Sequence, residues 1–359
     1  MGTLIQHLIK LTDHLERDLL ELTLSKALID LLPLHRVVIA KVLSEEGSRR
    51  WWQLARLDAR GGGMLADPLR VDFGGLPKIE DHPERLRCLQ TRNRIEVALQ
   101  GDAGPRISYI PLYESSRADD DGVLEVHSPQ GLTDAEVDTA NVLLRVFRNM
   151  YHLLAYSDRD GLTGLFNRKS LDNTFYSAVL DELDEGAGAT ALQSLAVKPT
   201  PGQERRHRVP PNYWLGTVSV DHFDAIGEKS GQLIADEVLL RVARILNNTF
   251  RTYDRIYRLD GEQFAVLMHC PDEALVLAAF ERFRANMDKF NFPQVGHITA
   301  CGGFTRITAD DTPGTALERA ERAVEHGQRG GGNLVFSYGD LLRRELLGER
   351  VNVGELDLF

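Results

Sequence analysis

Residues 133–159 leave this chain least choice, because they read as one long helix with its own start signal. Thr133 and Glu136 stand at capping-box spacing, where hydroxyl and carboxylate each satisfy a free backbone N–H of the first turn. Val137, Ala140, Leu144, Phe147, Tyr151 and Leu154 then recur at alternating steps of three and four. That stripe suits the seam of a two-helix coiled coil or a helix packed on its own domain. In both cases the helix joins an N-terminal half to a C-terminal half, and 359 residues are enough for a core on each side.

Upstream, residues 3–31 carry Leu and Ile at helical spacing. R-V-V-I-A-K-V-L (36–43), W-W-Q-L-A-R-L (51–57), R-I-S-Y-I-P-L-Y (106–113) and G-V-L-E-V-H-S (122–128) read as strands. A Gly-rich turn at Gly61 to Gly63 and a helical piece near Arg85 to Arg94 complete the pattern. It predicts an antiparallel sheet flanked by helices over 1–132, an order that resembles a GAF sensory and dimerisation domain. Trp51, Trp52 and Tyr109 read as core or as the lining of a ligand pocket, and the isolated Cys88 as a packed thiol.

Downstream the pattern is mixed α+β. Helices are predicted over 169–185, 233–250, 273–289 and 314–326, strands over 213–220 and 297–304, a hairpin over 255–269 and a last strand at N-L-V-F-S-Y. Residues 186–212, rich in Gly, Pro and charge, read as a loop insertion. Its run E-R-R-H-R is either solvated or in contact with a phosphate or partner.

Charge and cysteines narrow the function. The 42 Lys and Arg against 53 Asp and Glu give a net charge of -11, which disfavours nucleic acid and anionic lipid, so any phosphate site must be local. The three cysteines are too scattered for a disulfide framework or a zinc site. No run of about 18 apolar residues occurs, so no membrane span is expected, and the amphipathic start is unlike a signal peptide. These features predict a soluble cytoplasmic protein.

D-G-L-T-G-L-F-N-R (160–168), V-D-H-F (220–223), A-D-E-V-L (235–239), R-L-D-G-E-Q-F (258–264), I-T-A-C-G-G-F (298–304) and A-E-R-A-V (320–324) occur in a telling order. Together they resemble the GGDEF domain of diguanylate cyclases, over about 160–340, with 341–359 left as a tail. The resemblance implies a central antiparallel sheet wrapped by helices, and a reaction joining two GTP into cyclic di-GMP and pyrophosphate across a dimer. That chemistry needs carboxylates for two divalent cations, cations at the phosphate tail and a clamp on guanine.

Carried over residue by residue, the resemblance implies a degenerate site. The first metal carboxylate falls on Ser219, and the Gly-Gly-Asp/Glu-Glu-Phe turn becomes Asp260-Gly261-Glu262-Gln263-Phe264. Glu262 keeps one carboxylate, Gln263 removes its neighbour's charge, and Asp260 puts an anion where backbone should approach phosphates. The guanine-binding Asn falls on Gly227 while its acidic partner stays as Asp236, and the phosphate-tail Lys and Arg fall on Gln328 and Gly332, with Arg329 adjacent. No catalytic residue, resident metal or cofactor is therefore expected; magnesium enters only with residual cyclase activity.

Arg251-Thr252-Tyr253-Asp254 stands where the family carries its R-x-x-D product site, and Arg282 where a further product-binding Arg lies. Such a pair is a surface ion pair or a recognition site: Arg forks onto phosphate or the guanine edge, and Asp accepts from guanine N–H groups. Three functions stand as expectations: a non-catalytic cyclic di-GMP receptor signalling to a partner protein or to the GAF-like domain, a weak product-inhibited cyclase with residual nucleotide contacts at Asp236 and Glu262, or a GTP-sensing or structural scaffold. A homodimer is expected in each.

Overall fold

The computed structural model describes residues 2–13, 17–45, 47–67, 69–99, 104–112, 121–182, 198–199 and 212–347. The chain divides into two compact units, residues 1–159 with 183–208 and residues 160–182 with 209–359.

The first unit is built on seven strands: β1 (Arg36–Glu45), β2 (Ser48–Asp58), β3 (Gly62–Leu65), β4 (Ile95–Ala98), β5 (Arg106–Pro111), β6 (Gly122–Ser128) and β7 (Lys198–Pro199). Their order is β4-β5-β6-β1-β2-β3-β7. Neighbours are antiparallel except β3 and β7, whose parallel pairing joins Lys198 and Pro199 of the sequence insertion to Gly62 and Gly63. The E-R-R-H-R run lies outside the described residues.

Because successive side chains of a strand point to opposite faces, the sheet is apolar on both. Val37, Ile39, Trp52, Leu54, Leu124 and Val126 share a core with helices α1 (Gly2–Asp13), α2 (Arg17–Leu31) and, past α3 (Pro83–Thr91), α4 (Asp134–Ser157). Ala40, Val42, Trp51 and Val123 pack instead against Cys88 and Leu89 of α3. Both tryptophans are therefore core; the Trp51 Nε1–H donates to the Ile79 carbonyl at 3.0 Å. Burial pushes the Cys88 thiol up to about 11, leaving it an inert packing group.

The capping box closes at α4: Glu136 Oε2 accepts the Thr133 N–H at 2.8 Å and Thr133 Oγ1 accepts the Glu136 N–H at 3.4 Å. Ala140, Leu144, Phe147, Tyr151 and Leu154, with Leu143, are buried in the core shared with α1, α2 and the sheet. This corrects the coiled-coil alternative for that stripe, since the chain itself fills the seam.

The second unit centres on β8 (Tyr213–Val220), β9 (Arg255–Arg258) and β10 (Gln263–His269), and, beyond the small pair β11 (Asn291–Phe292) and β12 (Gly296–His297), on β13 (Ala300–Arg306) and β14 (Val335–Ser337). The five-stranded order is β14-β13-β8-β10-β9. The expected antiparallel sheet is corrected at one edge, where β14 runs parallel to β13. Its helices are α5 (Arg168–Glu182), α6 (Phe223–Ser230), α7 (Gln232–Thr249), α8 (Glu273–Lys289), α9 (Pro313–Arg329) and α10 (Tyr338–Arg343).

Every residue of β8 is buried, as expected of a strand covered on both faces. Gly216 in its middle is required: a Cβ there would stand 2.2 Å from Phe280 Cζ. The tip of the Phe280 ring of α8 thereby packs onto the sheet at Gly216, the ring 5.5 Å from that of Phe304 and 5.2 Å from that of Phe250. This aromatic cluster anchors the end of α7, from which the loop to β9 departs.

Candidate nucleotide-binding site

The hairpin of β9 and β10 turns at Asp260 and Gly261, with Gly261 at φ +54°. Asp260 C=O accepts the Gln263 N–H at 2.9 Å, and Gln263 C=O accepts the Leu259 N–H at 3.0 Å. Asp260 is exposed, while Glu262 and Gln263 are half-buried. Arg258 braces the turn: its Nη2 donates to Gly261 C=O at 3.0 Å and its Nη1 to both carboxylate oxygens of Asp160 at 3.1 and 3.3 Å. Burial would raise the Asp160 carboxyl, but hydrogen bonds from the Thr163 hydroxyl and N–H and from Arg258 hold it below the usual carboxylate range. The segment opened by Asp160 lies along β9, with Phe166 N–H on Ile256 C=O at 3.1 Å and Arg258 N–H on Phe166 C=O at 2.7 Å. Arg258 was not singled out in the sequence, although it stands inside the R-L-D-G-E-Q-F motif.

Ser219 sits buried near the end of β8, in register with Gln263 of β10 and Cys301 of β13. Its Oγ accepts from Gln328 Nε2 at 3.4 Å. Two neutral residues standing where the resemblance places an anion and a cation thus contact each other. Two positions on, the buried Asp221 accepts from Thr299 Oγ1 at 2.7 Å and from the Asn333 N–H at 2.8 Å, both at Oδ2. Burial and the adjacent Asp221 push the Cys301 thiol up to about 12. Gly332 has φ +82°, and a Cβ there would meet Asp221 Oδ2 at 2.9 Å, so both backbone and packing disfavour a side chain. Gly227 is open, with nothing within 4 Å of an added Cβ, and Asp236 accepts from Gln232 Nε2 at 2.7 Å.

Two cations on adjacent strands would need several carboxylates converging. Ser219 offers a hydroxyl, Asp221 has Oδ2 committed to Thr299 and Asn333 while its Oδ1 is buried without a hydrogen-bond partner, and Glu262 is followed by an amide. Among the described residues no group of three or more His, Cys, Asp or Glu converges as a metal site would require. One hydroxyl, one partly committed carboxylate and Glu262 are the donors these positions offer such a centre.

The loop from α7 to β9 is ordered differently. Asp254, 8% exposed, closes it: Oδ2 accepts the Arg251 backbone N–H at 2.9 Å, and Asp254 N–H donates to Arg251 C=O at 3.0 Å. The exposed Arg251 lays its guanidinium over the Tyr253 ring, 5.7 Å from the centroid. Just upstream, the Thr249 carbonyl accepts from Arg282 Nη2 at 2.6 Å and the Thr249 hydroxyl from Asn286 Nδ2 at 3.0 Å. The structure therefore brings the α8 face bearing Arg282 to the residues that lead into Arg251 and Asp254.

Residues 203–334 match the family model described as Diguanylate cyclase, GGDEF domain. The chain is 26% identical over 348 residues to the diguanylate cyclase DgcP of Pseudomonas aeruginosa, covering 89% of this chain and 50% of that protein. It is 26% identical over 187 residues to the diguanylate cyclase DgcZ of Escherichia coli, covering 51% of this chain and 54% of that one. The chain spans about half the length of these curated relatives. Among solved structures, the coiled coil and GGDEF domain of DgcB from Caulobacter crescentus in complex with c-di-GMP aligns at TM-score 0.45 and 20% identity, over 56% of this chain and 96% of that chain.

Proposed function

We propose, from the premise that this chain carries a GGDEF domain matched over residues 203–334, that it is a cyclic di-GMP receptor rather than a cyclase. The observation that carries this reading is the Arg251 to Asp254 loop, closed by its own carboxylate and hydrogen-bonded through Thr249 to Arg282. Three charged groups held this way meet a ligand with two phosphates and two guanines without ordering a flexible loop first, which favours affinity. Arg251 and Arg282 offer forks to phosphate oxygens or to guanine O6 and N7, and Asp254 an acceptor for guanine N–H groups.

The cyclase positions support loss of turnover. Ser219 and Gln328 bond to each other, and Gly332 has no room for a side chain. Losing one metal carboxylate removes several kcal/mol of transition-state stabilisation, on the order of 10³-fold in rate. The first unit, read as a GAF-like sensory domain, or a partner protein receives the occupancy signal, and the assembly is a homodimer. Among the described residues no helix is long and apolar enough to cross a membrane.

A second reading, a residual cyclase, draws on Glu262, Asp236 and the match to DgcP over 89% of this chain. Two measurements separate them. Calorimetric titration with cyclic di-GMP is expected to give saturable heat for wild type and little for Arg251→Ala; wild type without heat at micromolar ligand sinks the receptor. Incubation with GTP and Mg²⁺ or Mn²⁺, followed by chromatography, is expected to leave GTP unconverted, and steady synthesis of cyclic di-GMP establishes the cyclase instead.

A further inference from the structure

The geometry points to Tyr253 as a positioning residue for cyclic di-GMP: its ring holds one face of the Arg251 guanidinium so that the other face meets a guanine base. This rests on the receptor reading and adds a group that reading does not use. Tyr253 is half-buried beside an exposed Arg251, and the guanidinium carbon lies 5.7 Å from the ring centroid, within cation–π reach. Fixing an arginine side chain on binding costs affinity, and the ring shares in holding this one beforehand.

The rest of the loop keeps the ring in place. Asp254 Oδ2 ties the Arg251 N–H at 2.9 Å, which closes the backbone around Tyr253. Phe250, the residue before Arg251, packs edge-on against Phe280 at 5.2 Å and beside Phe283 at 6.3 Å. An aromatic ring, a guanidinium plane and a purine are all flat, and arginine stacks on both kinds of partner. The ordering from inside outward is thus ring, guanidinium, base.

The test uses the full chain and calorimetric titration with cyclic di-GMP for wild type, Tyr253→Phe, Tyr253→Leu, Arg251→Ala and the double variant Tyr253→Leu/Arg251→Ala. Tyr253→Phe keeps the ring face and is expected to bind like wild type, whereas Tyr253→Leu is expected to weaken binding about 3- to 10-fold at an unchanged melting temperature. Because the ring acts through the guanidinium, the double variant is expected to bind no worse than Arg251→Ala alone. Wild-type affinity in Tyr253→Leu, or a loss in Tyr253→Phe as large as in Tyr253→Leu, overturns the assignment while leaving the receptor intact. No heat for wild type overturns both.

Discussion

At the residue scale, two substitutions separate packing from charge. A methyl at Gly216 would stand 2.2 Å from Phe280 Cζ and 2.9 Å from its Cε atoms, inside a fully buried strand. Gly216→Ala must therefore displace a ring wedged between Phe250 and Phe304, at a cost of about 1–3 kcal/mol or more. Chemical denaturation is expected to show that loss; an unchanged midpoint means the ring has another place to go. Ser219→Asp instead creates a carboxylate in a buried position two residues from the buried Asp221. An uncompensated charge there costs about 3 kcal/mol. Because Gln328 Nε2 already lies 3.4 Å from Ser219 Oγ, adding Gln328→Lys is expected to recover part of the melting temperature. If the single variant melts like wild type, Ser219 is not in the low-dielectric setting described. The family resemblance singled out both positions, but that they touch is a property of the fold, since 109 positions of sequence separate them.

At the scale of elements, the hairpin and the Asp160 segment act as one piece through Arg258. Removing the guanidinium in Arg258→Ala leaves the Gly261 carbonyl and the Asp160 carboxylate without that donor, a loss of about 1–3 kcal/mol at neutral pH. Asp160 sets the sign of the pH dependence. Its carboxyl is held below the ordinary value in the folded chain, so its contribution is fully present above the unfolded carboxylate range and is lost as pH falls through the lowered value. Wild type is expected to lose stability toward acid more steeply than Asp160→Asn, measured by denaturant midpoints across a pH series; parallel curves would dismiss the linkage. The elements themselves differed in how visible they were. The helix over Glu273–Lys289 was legible because Val276, Phe280, Phe283 and Met287 recur at helical spacing. The helix Phe223–Ser230 was not, because it buries only Ile226, and four-residue strands such as Ile95–Ala98 are too short to show alternation. The parallel partnership of β13 and β14 is a property of the connection through α9, not of either strand's composition.

At the scale of the whole molecule, the question is what the stripe on α4 holds together. Its spacing admitted a partner helix or the chain's own core, and sequence cannot choose, because both present the same apolar seam every three or four residues. The fold decides in favour of the chain: Phe147 is fully buried, and Ala140, Leu144, Tyr151 and Leu154 share its core with Leu11 of α1, Leu20 and Leu24 of α2 and Leu124 of β6. Lys41 of β1 adds a charge 5.8 Å from the Tyr151 ring centroid. If the stripe stabilises the first unit from within, Phe147→Ala removes a core ring and costs about 3–5 kcal/mol. That loss must then be independent of protein concentration, because no association is broken. A stripe that instead joined two copies would give a melting temperature that rises with concentration in wild type and loses that rise in the variant. Melting curves of both proteins across a hundredfold dilution series are expected to be parallel, with the variant lower throughout; convergence of the two at high dilution would return the seam to a partner chain.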